Sequence, residues 1–322
     1  MVSIQIYSGA RGIGEWIVIY GAVQSVQDGF VRLFEGMLEM GISGNYIDDY
    51  ETVMHFDEEE NAKQYNETMM PESVDIRFEN VVFRYPGNDY DVLNGITVDI
   101  RQGEKIAIVG ENGSGKSTFV ALLSGLYSPD SGSIRVGGLE PDKNTDFIRN
   151  VASFIYQNFG KYYFTVSDNI KIGCISGDLT MDEIMEAARI TGADSFIQKY
   201  ASEYETYIGN IEEGGVELSG GEWQKIALAR ALVNKNARVM VLDEPTAALD
   251  PIAESRFYEE YEKLTGGNTA IMISHRLGST KIANRILVFK DGRIIEDGNH
   301  ENLMEKNGEY ARMFKAQAQW YV

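Results

Sequence analysis

From Val74 onward the chain alternates apolar and polar positions in short bursts separated by turn residues. Val74, Ile76 and Phe78, then Val81, Val82 and Phe83, have the texture of half-buried strands. Thr97–Ile100 repeats it before the turn Gln102-Gly103, and Lys105–Val109 is an apolar run of the buried, parallel kind. Helices are expected at about 116–126, 180–200, 222–234 and 252–264, and further strands at 151–155, 238–242, 269–273 and 286–290. Strands alternating with helices predict an α/β fold with a largely parallel sheet. There is no internal repeat and no low-complexity tract.

Residues 1–47 read differently. Val18, Val23, Val26, Phe30, Leu33, Phe34, Met37 and Leu38 recur at mixed three-to-five spacings, which predicts a helix. Gly12, Gly14, Gly21, Gly29 and Gly36 weaken it, each interior glycine by about 1 kcal/mol relative to Ala. Gln24, Gln27, Asp28 and Arg32 make part of it polar. Two readings stay open: an amphipathic surface helix, which the pattern favours, and a membrane helix lining a wet cavity, where polar residues are tolerated. Trp16–Tyr20, closed by Gly21, falls far short of the roughly 18 apolar residues of a bilayer span. No basic segment precedes an apolar core, so no secretory signal is expected.

Residues 48–75 hold ten carboxylates and one lysine, Lys63, the composition of a solvated connector. No spacing there resembles a calcium loop. The expected division is 1–47, a helix; 48–73, an acidic linker; and 74–322, an α/β domain. The length of 322 residues agrees with about two domains. Hydrophobic residues at 43% and charged residues at 24% exclude a disordered chain. The single cysteine, Cys174, excludes an internal disulfide framework and a cysteine-cluster metal site. A net charge of −20 argues against coating nucleic acid, which requires phosphate-neutralising cations.

Gly110-Glu111-Asn112-Gly113-Ser114-Gly115-Lys116-Ser117 fits G-x-x-x-x-G-K-[ST], follows the buried strand and opens a helix at Thr118 and Phe119. Its glycines permit positive φ, so backbone N–H groups can turn inward around phosphate. The helix N-terminus adds positive partial charge. Lys116 is placed to reach the β- and γ-phosphates and Ser117 to ligate Mg²⁺. A second strand, Arg238–Leu242, ends in Asp243-Glu244. Open α/β sheets collect ligand chemistry at such carboxyl ends. Asp243 is placed to hold Mg²⁺ through water and Glu244 to polarise the attacking water.

Between these elements lies Leu218-Ser219-Gly220-Gly221-Glu222-Trp223-Gln224. With it the sequence resembles the ATP-binding-cassette (ABC) ATPases over roughly 74–322. The ordered set carries the likeness: Tyr85 in Phe83-Arg84-Tyr85-Pro86, the phosphate loop, Gln157, LSGGE, Asp243-Glu244, Ala248-Leu249-Asp250, and His275 in Ser274-His275-Arg276. The resemblance implies a P-loop NTPase cassette with an antiparallel β subdomain and a helical signature subdomain, preceded by the N-terminal helix. It implies a Mg-dependent ATPase with ATP and Mg²⁺ as ligands. Tyr85 would stack on adenine. Gly110, Asn112, Gly113, Ser114, Gly115, Lys116, Ser117 and Thr118 would hold the phosphates. Ser117, Gln157 and Asp243 would serve Mg²⁺. Glu244, His275, Lys116 and Gln157 would form the catalytic set, with His275 as the γ-phosphate switch.

Ser219 and Gly221 would contact the ATP of a second half-transporter, identical or not, in a head-to-tail dimer, and Asp250 would line its seam. Under this resemblance residues 14–49 look like the last membrane helix of an exporter-type half-transporter, and the membrane reading of 14–40 becomes the favoured one. Most of the membrane domain is then absent from the chain. Asn158–Val166, with Tyr162, Tyr163 and Phe164, would dock on permease helices. The expected location is the cytoplasmic face of a bacterial cell membrane. The alternatives are a soluble ABC ATPase without a transport role and a stranded ATP-binding fragment.

Overall fold

The computed structural model describes residues 13–54, 71–174, 179–209, 214–245, 265, 267–274, 280 and 282–319. The chain divides into two compact units, Met1–Asn61 and Ala62–Val322. In the first, helix α1 spans Ile13–Met54. The acidic stretch expected as a connector from residue 48 is therefore helical through 54. No proline interrupts it before Pro71, and helices end where a breaker or cap ends them. Two polar side chains of α1 bond within the helix: Gln24 Nε2 donates to Tyr20 Oη at 3.1 Å and Ser25 Oγ to the Gly21 carbonyl at 2.9 Å. Phe30, Phe34 and Leu38 are exposed. No helix among the described residues is long and apolar enough to cross a membrane.

The second unit is α/β, as the resemblance implies. One sheet has the order β2-β1-β4, from β1 (Ile76–Phe83), β2 (Leu93–Ile100) and β4 (Ser131–Val136), all antiparallel. The two expected strands at 74–83 are one, bulged at Asn80, where φ is +48°. The other sheet adds β3 (Lys105–Gly110), β5 (Ala152–Ile155), β6 (Val239–Asp243), β7 (Thr269–Ile273), β8 (Arg285–Lys290) and β9 (Arg293–Gly298). Its order is β5-β6-β7-β3-β8-β9, parallel except for the edge pair β8-β9.

Helix α2 (Lys116–Leu123) lies between the sheets. Its Phe119 stacks on Phe78 of β1 at 4.3 Å and meets Phe289 of β8 edge-on at 5.7 Å. The helix was expected to reach 126 and stops at 123. Gly125, at φ +75°, gives the left-handed turn that lets the Leu126 N–H close on the Ala121 carbonyl, a common helix stop. Helix α3 (Thr145–Val151) then leads into β5.

A separate apolar core gathers α4 (Val166–Lys171), α5 (Met181–Ile190), α6 (Asp194–Ile197) and α7 (Gly220–Leu232) around Trp223 and Ile226. The expected helix 180–200 is two, because Gly192 at φ +68° breaks it. Helices α8 (His300–Lys306) and α9 (Glu309–Ala318) cover β3 and β8 through Leu303 and Tyr310. The helix expected at 252–264 lies outside the described residues.

Two predictions follow from these contacts. A Cβ on Gly132, at φ +85°, would lie 2.4 Å from the Glu79 and Asn80 carbonyl oxygens at the β1 bulge. Gly132→Ala should therefore lower stability by about 1–3 kcal/mol, read as a lower urea midpoint. At the start of α5, Lys235 and the Thr180 cap hold the Glu183 carboxyl down to about 2. A carboxylate depressed in the folded state stabilises above its unfolded value and loses that contribution as pH falls through its folded value. The stability advantage over Glu183→Gln should be full at pH 6 and vanish near pH 2 in a denaturation series.

Candidate functional site

Strand β3 delivers the chain to Gly110, and the loop through Gly115 returns it into α2. The three glycines have distinct reasons. A Cβ at Gly110 would lie 2.3 Å from the Phe289 carbonyl oxygen, and one at Gly115 would lie 2.6 Å from Leu93 Cδ2. Gly113 meets nothing within 4 Å, so its φ of +77° is what requires glycine, and its open side is where a ligand can approach. Gly115 is the N-cap of α2, and no side chain caps that end. The first-turn N–H groups thus present an anion site.

Lys116 is 5% exposed, with its Nζ donating to the Gly110 carbonyl at 3.0 Å and the Glu111 carbonyl at 2.8 Å. Burial pushes its ammonium below the usual lysine range, while the charges of Glu244 and Asp243 pull it back up. The Ser114 hydroxyl is buried and makes no hydrogen bond among the described residues. A desolvated cation held by carbonyls, a hydroxyl without a hydrogen bond among the described residues and an uncapped helix start all fit a polyphosphate. Asn112 and Ser117 are exposed at the loop, and Thr118 is buried behind it.

Sheet order assembles the rest. Asp243 pairs with Ile273, and Ile273 pairs with Ile108, so β7 separates the end of β6 from the end of β3. At about 4.8 Å per strand the two loops stand about 10 Å apart on one carboxyl edge, wide enough for a phosphate chain. Asp243 is 3% exposed at the end of its strand. Glu244 follows at φ +51°, a backbone region that non-glycine residues rarely occupy and that concentrates at functional sites. Its N–H donates to the Ile273 carbonyl at 3.0 Å, and its carboxylate accepts from Gln157 Nε2 at 2.9 Å. Lys116, Gln157, Asp243 and Glu244 are thus brought to one edge. Among the described residues no three His, Cys, Asp or Glu side chains could hold a metal by themselves. Mg²⁺ commonly binds with one or two side-chain ligands plus substrate phosphates, and Ser117 and Asp243 suit that arrangement. His275 and Asp250 lie outside the described residues. Ser274, just before His275, is buried at the end of β7.

Tyr85 leaves β1 and is half-buried. Its hydroxyl is 3.2 Å from Thr118 Oγ1 on α2, and its ring meets Phe83 edge-on at 4.9 Å and Tyr127 at 5.3 Å. An aromatic ring therefore stands beside the phosphate loop.

Ser219 and Gly221 belong to the other core. Ser219 is the exposed N-cap of α7, and Glu222 Oε2 accepts from its N–H at 2.9 Å and its hydroxyl at 2.8 Å. The spacing Ser219-x-x-Glu222 is a capping box readable from the sequence and not read there. Sequence reasoning also missed Arg312 on α9, which donates to Glu111 of the phosphate loop at 2.8 Å. No local pattern links residues so far apart.

A phosphate loop and an Asp-Glu strand end, flanking β7 on a parallel sheet, define a P-loop ATPase domain. Comparison with known proteins narrows this. A family profile described as ABC transporter matches residues 93–247. The subtilin transport ATP-binding protein SpaT of Bacillus subtilis is 34% identical over 309 residues, 95% of this chain and 50% of that protein. The alpha-hemolysin translocation ATP-binding protein HlyB of Escherichia coli O157:H7 is 35% identical over 319 residues, 97% of this chain and 44% of that protein. The structure of a bacterial Atm1-family ABC exporter with ATP bound superposes with TM-score 0.75 and 31% identity, over 88% of this chain and 49% of that one. Residues 93–247 carry the ATPase domain of the ABC transporter family. The chain spans half or less of the length of these relatives.

Lys116→Ala should weaken ATP binding by about a hundredfold or more, the cost of removing a buried charged partner. Isothermal titration of the folded variant with ATP checks this.

Proposed function

We propose that this chain is the ATP-hydrolysing part of an exporter and works as a head-to-tail dimer, homo- or heteromeric. The observation that carries the reading is the position of Ser219. It is exposed on a helix start in a different core from Lys116, with its own hydrogen bonds turned to Glu222. An ATP held by one phosphate loop would meet the Ser219 and Gly221 helix start of the second chain.

Each residue then has a task. Lys116 and the N–H groups of 112–118 hold the phosphates, and Tyr85 stacks on the base. Glu244, oriented by Gln157, accepts the proton of the attacking water as the bond to the γ-phosphorus forms and the β–γ bridge breaks, releasing ADP and phosphate. His275 contacts the γ-phosphate. Ser117, Asp243 and Gln157 would hold Mg²⁺, which would supply charge neutralisation at the phosphates. ATP closes the pair because it binds the closed state better than the open one, and hydrolysis removes that preference.

The membrane side of the reading rests on three features. Residues 14–40 of α1 combine exposed Phe30 and Phe34 with polar positions, as a helix lining a wet path would. Tyr162, Tyr163 and Phe164 stand exposed after Gln157. Beside them a cavity of about 480 Å³, lined by Leu126, Ile148, Phe154, Phe159 and Ile172, has the size and apolarity to seat a turn of permease helix. The chain would sit at the cytoplasmic face of a bacterial cell membrane, working with permease helices.

Hydrolysis measured against protein concentration tests the enzyme. The rate should rise faster than linearly. Glu244→Gln should bind ATP, lose turnover by about a thousandfold and trap a dimer visible by light scattering. A rate strictly proportional to protein, or undiminished turnover in Glu244→Gln, overturns the dimeric mechanism or the role of Glu244 respectively.

A further inference from the structure

We infer that Arg230 is a positioning residue that locks the helix carrying Ser219 to the aromatic loop 160–165, so that the two shift as one body. The inference rests on the dimeric reading above and adds a part that reading does not contain.

Arg230 lies in the last turn of α7, eleven residues beyond Ser219, about 16 Å along a helix axis. Its guanidinium reaches both the loop and α4. Nη1 donates to the Gly160 carbonyl at 3.0 Å, Nε to the Asn169 carbonyl at 2.9 Å, and Nη2 to Asn169 Oδ1 at 3.0 Å. The Tyr162 ring lies under it, 4.8 Å from Cζ to centroid. No carboxylate among the described residues forms an ion pair with it. Burial accordingly pulls its pKa below the usual arginine range.

Asn169 completes the lock. It is fully buried, and its Nδ2 donates to the Tyr162 carbonyl at 2.8 Å and the Thr165 carbonyl at 3.0 Å. The loop is therefore closed onto α7 at Gly160 by Arg230 and onto α4 at Tyr162 and Thr165 by Asn169, which Arg230 in turn binds. A second attachment lies about two turns nearer the start of α7, where Tyr163 meets Trp223 edge-on at 6.4 Å. The chain after α4 cannot slide past the end of α7, because a Cβ at Gly173 would lie 1.8 Å from the Arg230 carbonyl oxygen.

The chemistry requires arginine. A planar fork reaches three acceptors on two segments while stacking on a ring, and an ammonium does not. Burying a charge without a counter-ion is costly, and an apolar side chain would fill the space at lower cost. What the guanidinium adds is direction. On the outer side of the loop, Tyr162 and Phe164 are 41% and 50% exposed and stacked at 6.2 Å. Displacement of that surface is carried into α7, and the start of α7 is where Ser219 is presented. The loop also begins three residues after Gln157, whose amide holds Glu244.

The test uses the full chain and MgATP. Arg230→Lys should lower kcat about tenfold per folded molecule, the scale of coupling through a packed network, with KM for ATP unchanged within about twofold. Tyr162→Ala, a surface truncation that leaves the core intact, should lower kcat in the same direction. The double variant should be no worse than Arg230→Lys alone, because both remove one lock. Folded fraction is measured by circular dichroism. In the Glu244→Gln background, Arg230→Lys should weaken ATP-dependent dimerisation while ATP affinity of the monomer is kept. A kcat per folded molecule at least half that of the parent overturns the proposal, as do a KM that rises in step with the loss of kcat and effects of the two variants that multiply. Absence of hydrolysis by the unaltered chain would instead sink the dimeric reading, before any Arg230 variant is compared.

Discussion

The packing of one side chain, Phe119, governs where the chemistry can occur. It is buried in α2 between Phe78 of the antiparallel sheet and Phe289 of the parallel one. Removing a phenylalanine from such a core costs about 3–5 kcal/mol, a large share of a domain's stability. The helix therefore cannot tilt without separating from one sheet or the other. The loop that precedes it is equally confined, since Gly110 lies against the β8 backbone and Gly115 against β2. Lys116 inherits its position from these contacts. The ammonium is held in place before any phosphate arrives, and ordering it then costs little at binding.

The acidic side of the site is placed by strand order. Because β7 intervenes between β3 and β6, Asp243 and Glu244 face the phosphate loop across one strand's width. The left-handed backbone of Glu244 turns its carboxylate toward Gln157 rather than along the strand. Strain at one residue is offset by the surrounding ladder, whose hydrogen bond from Glu244 N–H to Ile273 holds the turn.

The parallel core was legible because apolar runs such as Lys105–Val109 and Arg238–Leu242 leave no other structure open to them, and the phosphate loop because its glycines sit between such a strand and a helix. The elements that were missed carry weaker patterns. Strand β4 is Ser131-Gly132-Ser133-Ile134-Arg135-Val136, whose small and polar residues make a strand only because β1 pairs with it. Helix α4 is six residues long and depends on the Thr165 cap and the α7 surface. Helix α1 outran its expected end because no glycine or proline interrupts residues 45–54. Arg230 and Asn169 gave no signal, since each is an ordinary helical residue until the fold supplies its acceptors.

The capping box at Ser219 has a bearing on reversibility. A signature serine with a dangling hydroxyl would gain a whole hydrogen bond on meeting a phosphate, and would part from it reluctantly. Here the hydroxyl already donates to Glu222. In the proposed dimer, meeting a phosphate would exchange one acceptor for another, so the net gain per contact would be small and would shrink further once the γ-phosphate departs. The carboxylate of Glu222 stands ready to accept that hydrogen bond again. Such a latch would be spring-returned: the free end already has its hydrogen bond, and each cycle would begin from the same resting state.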